Sequence, residues 1–207
     1  MTDSYYGQPV LNPPVWEARD IAGYLFLGGL AGASSVLAAG AELTGRSGLA
    51  RPAKLGAAAA ISLSLAALIH DLGRPARFLN MLRVFKVTSP MSVGTWILTG
   101  YAPFAMLAGA AEIRHLLPRR LRWVTWLLGF GARPAGLAAA VVAPAVASYT
   151  AVLLSDTATP TWHDSHRHLP FVFVGSASAA AGGLGLVTSP LDQARPARRL
   201  AVGGALL

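Results

Sequence analysis

Five apolar runs, each on the scale of a bilayer's thickness, constrain this chain more than any other feature. About twenty residues of helix are needed to cross ~30 Å of hydrocarbon. The sequence offers runs of that size over residues 21–43, 53–72, 91–117, 134–155 and 169–187. A sixth begins near Leu200 and is cut off at Leu207, so the chain reads as ending inside an apolar segment. Alternation of period two is absent, which argues against a β-barrel. In lipid every backbone N–H and C=O must be satisfied internally, and helices then remain. The expected fold class is all-α, a polytopic transmembrane helical bundle of five full spans plus the start of a sixth. It is expected to form one integral membrane domain over 1–207, with an extramembrane segment at 1–20.

Composition closes off the alternatives. Hydrophobic residues make up 54% of the 207 and charged residues 13%, against roughly a quarter charged in an ordinary soluble domain. That is too apolar for disorder and too poor in charge to cover a soluble surface. The net charge is +8, which in a soluble protein would point to nucleic acid. Here the charges fall in short segments between apolar runs, where they set topology and meet anionic headgroups of the lipid bilayer. No nucleic-acid partner is expected. The chain has no cysteine, so it holds no disulfide, thiolate zinc site or iron–sulfur cluster by itself.

The start, Met1-Thr2-Asp3-Ser4-Tyr5-Tyr6-Gly7, has neither a basic region nor a small-residue cleavage site, and the first span is expected to double as the insertion signal. Six basic residues lie on the N-terminal side of the spans (Arg19, Arg74, Arg77, Arg83, Lys86, Arg167) and eleven on the other. The positive-inside rule places the eleven in the cytoplasm and the N-terminus on the outer face of the cell membrane. Small residues crowd the first and fifth spans, as in Gly28-Gly29-Leu30-Ala31-Gly32 and Gly175-Ser176-Ala177-Ser178-Ala179. They predict close helix packing within the bundle, with Gly28-x-x-x-Gly32 read as an internal contact before a dimer seam.

Ionisable groups near hydrocarbon are candidates by default. Glu42, His70, Asp71, Glu112 and Asp156 all lie near span ends; Glu42 and Glu112 read as solvated helix ends. Residues 71–86 gather an acid, several arginines and large apolar groups, and Arg74 is close enough to pair with Asp71. Phe78, Leu82 and Phe85 fall at i, i+4 and i+7, the pattern of a short helix lying in the interface. Pro90 opens the third span, with Ser89, Ser92 and Thr95 near its positive N-terminal pole, where a carbonyl oxygen could be held or the helix simply capped. Trp16 and Tyr24 read as interfacial belt aromatics, the commoner use of such residues. All five histidines, His70, His115, His163, His166 and His168, fall at span ends or in loops. A membrane b-type haem needs a buried axial histidine, so no haem is expected. The run Trp162–His168 reads as a wet loop before a metal site, and no metal is expected.

Several stretches together resemble the NrfD / polysulfide reductase membrane-subunit family. They are Tyr6-Gly7-Gln8-Pro9-Val10, Pro13-Pro14-Val15-Trp16, Tyr24-Leu25-Phe26-Leu27-Gly28-Gly29, Asp71-Leu72-Gly73-Arg74-Pro75, and Ser89-Pro90-Met91-Ser92-Val93-Gly94-Thr95-Trp96, continued by Tyr149-Thr150 and Pro160-Thr161-Trp162. Each motif is weak alone; their order and spacing from about Tyr5 to about Leu186 make the set specific. The resemblance implies a haem-free, quinone-reactive membrane subunit, with eight or more spans in typical members. It implies menaquinone or ubiquinone as exchangeable substrate within the first four-helix bundle, a ferredoxin-like iron–sulfur subunit as partner, and a molybdopterin catalytic subunit behind it. Carried over residue by residue, the quinone-end positions are Trp16, Tyr24, Asp71, Arg74, Ser89, Ser92 and Trp96. Asp71 would exchange protons with Arg74 beside it, Tyr24, Ser89 and Ser92 would bond a quinone carbonyl, and Trp16 and Trp96 would wall the ring. The competing reading is an ion-translocating or transporter-type subunit without a redox role, which unwound mid-span helices would favour.

Overall fold

The computed structural model describes residues 18–72, 74, 76–157 and 159–207. Trp16 and most of the extramembrane segment expected at 1–20 therefore lie outside the described residues. Five long helices carry the fold: α1 (Ala18–Leu43), α2 (Ser47–Asp71), α4 (Pro90–Glu112), α5 (Arg122–Ser155) and α7 (Leu169–Thr188). All five are long and apolar enough to cross a membrane. Two short helices, α3 (Arg77–Met81) and α6 (Pro160–Asp164), lie in the connections on one side, and α8 (Arg195–Leu206) follows α7. There is no strand among the described residues.

The first hairpin shows how sequence sets topology. Gly45 takes a left-handed φ of 73°, open to glycine without a Cβ penalty. The Arg46 N–H then reaches back to the Ala41 carbonyl at 2.8 Å, a Schellman-type closure that ends α1 and reverses the chain. The helices α1, α2, α4 and α5 pack around a core that includes Tyr24, Ile61, Leu98, Tyr101 and Val146. Apolar burial gives helices little reason to associate in lipid, so close backbone approach supplies the attraction. A Cβ at Gly32 would sit 2.8 Å from the Ala143 carbonyl of α5, and Gly28 faces the Ser64 hydroxyl of α2. The Gly28-x-x-x-Gly32 pair is thus spent inside the bundle. On the far flank α7 meets α8 the same way: a Cβ at Gly182 would lie 2.5 Å from the Ala201 nitrogen.

Two expected elements come out differently. The fourth span, expected over 134–155, belongs to a helix that begins at Arg122. Pro134, where the span is expected to begin, removes one backbone donor, and the helix continues through it, with Ala135 and Gly136 buried just beyond. Its 34 residues make it about 51 Å long, well beyond the hydrocarbon. The extra turns carry exposed Trp123, Trp126 and Phe130, as interfacial aromatics do. The interfacial helix expected through Phe78, Leu82 and Phe85 lasts only from Arg77 to Met81. Phe85 leaves it to meet the ring of Trp96 edge-on, centroids 6.0 Å apart.

Candidate functional site

At the end of the bundle where α1 and α4 begin and α2 and α5 finish, the four helices leave a cavity of about 420 Å³. Leucines from every wall make it largely apolar, among them Leu25, Leu68, Leu98 and Leu153. Into this lining the helices set Tyr24, Asp71, Ser89, Thr95, Tyr149 and Thr150.

Each polar group has a local cause. Ser89 is the N-cap of α4, its hydroxyl oxygen accepting from the Ser92 N–H at 3.4 Å, and Pro90 occupies the first turn, where no donor is lost. Gly94, one turn in, lies flat against the Tyr149 ring; a Cβ there would collide with that ring's Cε2. The missing side chain is what admits the tyrosine. Thr95 donates its hydroxyl proton to the Met91 carbonyl at 2.9 Å, so its proton is committed to its own helix. Tyr149 and Thr150 differ: they are 8% and 2% exposed, and both hydroxyl oxygens are buried without a hydrogen-bond partner. A buried polar group left unsatisfied costs about 1–3 kcal/mol. Asp71 is the last residue of α2 and Asp156 caps α5, so both acids line the cavity at its mouth. Thr150 lies six residues earlier, about 9 Å deeper along the helix. Both acids sit at helix C-termini, whose partial negative charge does not itself favour a carboxylate. Near the mouth His70 Nδ1 pairs with Asp20 Oδ2, tying the end of α2 to the start of α1.

Of the residues singled out in the sequence, Tyr24, Asp71 and Ser89 are brought together here. Ser92 is not. Its hydroxyl donates to the Val84 carbonyl at 3.1 Å and accepts from the Lys86 N–H at 3.0 Å, binding the loop to the start of α4. Trp96 is 41% exposed and packs on Phe85 outside the cavity; it follows Thr95 directly, and adjacent helical residues point about 100° apart. Arg74 is exposed and outside the lining, and none of the ion pairs among the described residues joins it to Asp71. Asp156, a candidate only as an ionisable group near a span end, also lines the cavity, whereas sequence reasoning gave Tyr149 and Thr150 no role in the site. The available signal was a Tyr-Thr hydroxyl pair about one and a half turns from the end of a span, on a helix that runs opposite to the one carrying Tyr24.

The opposite end of the same helices holds a second polar centre. Lys54 is 5% exposed, with its Nζ 3.1 Å from Glu42 Oε1 and 3.0 Å from Glu112 Oε1. Glu42 and Glu112 are therefore not simply solvated helix ends, and Lys54 is not a loop charge. A Cβ added at Gly136 would touch both the Lys54 side chain and Glu42, so α5 closes over the triad. The five histidines are all exposed, none of them inside the four-helix core. Among the described residues no cluster of three or more His, Cys, Asp or Glu could hold a metal ion.

The pattern of the polysulphide reductase, NrfD family matches residues 9–196. The chain belongs to the NrfD family. The C subunit of the polysulfide reductase of Wolinella succinogenes is 30% identical over 169 residues, covering 70% of this chain and 49% of that protein. The chain thus spans about half the length of that curated relative. No solved structure matches it. Membership in a helical membrane family, with five span-length apolar helices, makes this NrfD protein a multi-pass membrane protein.

Proposed function

We propose that the four-helix cavity binds the ring of a quinone or quinol, and that the protein is the quinone-reactive membrane subunit of an oxidoreductase complex. Its partners in this reading are a ferredoxin-like iron–sulfur subunit and a molybdopterin catalytic subunit, because a protein without cysteine needs another to bring electrons to the membrane. A relative that is one subunit of a polysulfide reductase supports this assembly.

The observation that carries the reading is the pair of partnerless hydroxyls of Tyr149 and Thr150 in a largely apolar cavity. Both can donate to a carbonyl oxygen, and a flat ring with carbonyl oxygens and a hydrocarbon tail matches donors set among leucines. A bound quinone supplies two-electron chemistry coupled to two protons. The protein's own part is then to orient the ring through Tyr149, Thr150 and Ser89, to exclude water with the leucine walls, and to move protons at the mouth. Asp71 is suited to the last task, as a carboxylate between the cavity and the aqueous face, and Asp156 lies on the same rim. The five long helices run unbroken through Pro52, Pro103, Pro134 and Pro144, which favours this reading over a transporter built on unwound helices.

Binding of a naphthoquinone analogue to the purified protein tests the site. Tyr149→Phe together with Thr150→Val should weaken binding about tenfold or more, the loss expected for two hydrogen bonds, while the ligand-free protein melts no lower and is expected to melt higher, since two unsatisfied buried hydroxyls are removed. Unaltered affinity in a folded double variant would move the ring elsewhere. The basic-residue asymmetry further supports a cavity opening on the outer face. Ser4→Cys is expected to react with an impermeant thiol reagent in intact cells and Ser47→Cys to stay silent; the reverse pattern inverts the topology.

A further inference from the structure

We propose that a groove between α1 and α8, at the end of the bundle away from the quinone cavity, is a binding site for an anionic glycerophospholipid. The groove encloses about 540 Å³ and is lined by Arg46, Arg195 and Arg199 above Val36, Gly40 and Leu200. Two features make it lipid-shaped. The first is the placement of charge. α1 ends at Leu43 and α8 begins at Arg195, so the three arginines line the groove at one boundary of the spanning helices, where phosphodiester groups lie. Guanidinium forks match phosphate oxygens in pairs, and removing them from bulk water strengthens the contact. None of the ion pairs among the described residues involves these arginines. Glu42, the nearest acid on α1, is held by Lys54. Asp192 is exposed in the turn before α8 and forms none of those pairs.

The second feature is the channel below the charges. No atom lies within 4 Å of the position a Cβ would take at Gly40, and Val36, one turn deeper, is 43% exposed. Together they leave a smooth apolar track that runs about 10 Å inward from the end of α1, a fit for an acyl tail whose phosphate rests on the arginines. A second copy of this protein is a poor occupant, because it would oppose three guanidiniums with a molecule of net charge +8.

Delipidated protein can be offered phosphatidylglycerol or phosphatidylcholine and the bound lipid counted by native mass spectrometry. Phosphatidylglycerol should be retained about tenfold better. Changing Arg46, Arg195 and Arg199 to Gln together should remove most of that tenfold preference, while Arg198→Gln, beside the groove but outside its lining, should have no effect. Replacing the three by Lys should restore most of the preference, which separates lost charge from lost folding. Val36→Trp should block the acyl track and lower retention with all three arginines in place. Equal retention of the two lipids, no loss in the triple Gln variant, or full displacement by millimolar inorganic phosphate with Val36→Trp silent would each overturn the proposal. So would a dimer whose formation, without added lipid, depends on the same arginines.

Discussion

The two ends of the four-helix bundle use the same helices and opposite electrostatics. At one end Glu42 and Glu112 each pair with Lys54 at about 3 Å, so the charges are compensated although Glu42 Oε2 has no hydrogen-bond partner of its own. At the other, Tyr149 and Thr150 keep buried hydroxyls without partners, and two acids stand at helix ends that do not favour them. The first arrangement is what holding a bundle together requires. The second costs stability, and the natural reason to keep it is a ligand that supplies the missing acceptors. On the proposed reading the contrast separates a structural polar centre from a ligand site within the length of a single helix, α2.

The largest effect should come from breaking the structural end. Lys54→Met leaves two carboxylates facing each other without a cation and should lower stability by about 3–5 kcal/mol, read as a fall in melting temperature in detergent. Adding Glu42→Gln and Glu112→Gln should recover most of it. At the functional end, Asp71→Asn should leave melting nearly unchanged and cut quinone-linked turnover about a hundredfold, the usual scale for losing an acid–base group. Partner activity with artificial dyes should persist. A variant that melts early but turns over normally would put Asp71 with Lys54 on the structural side.

How much of this could be read in the sequence depends on distance along the chain. The spans follow from hydropathy, because lipid requires at least its own thickness of apolar residues from every helix that crosses it. Tyr24, Asp71 and Ser89 are legible because each lies beside a helix end that composition marks. Ser92 and Trp96 share that neighbourhood but not that face; a helix turns about 100° per residue, and runs of motif do not say which turn faces inward. The Lys54 triad joins positions 58 residues apart, and the Tyr149–Gly94 contact joins two spans, so neither can be seen before the helices are docked. The start of α5 at Arg122 is hidden by Pro134, whose local cost packing overrides.

Smaller effects sharpen the same line. Ser92→Ala removes the hydroxyl that ties residues 84–86 to α4 and should cost about 1 kcal/mol of stability with quinone affinity intact. Trp96→Phe and Arg74→Gln, both outside the cavity, should change quinone affinity less than about twofold, near the noise of surface substitutions. A tenfold loss in either would return that residue to the site.

Photolabelling with an azido-naphthoquinone, followed by mapping of the modified peptides, tests the placement of the ring most directly. The expected label falls on peptides around Tyr24, residues 89–98 and residues 149–154, is displaced by unlabelled quinone, and disappears from the last of these in Tyr149→Phe with Thr150→Val. Displaceable label confined to α7 and α8, with α4 and α5 unmodified, would contradict a quinone site in the four-helix cavity.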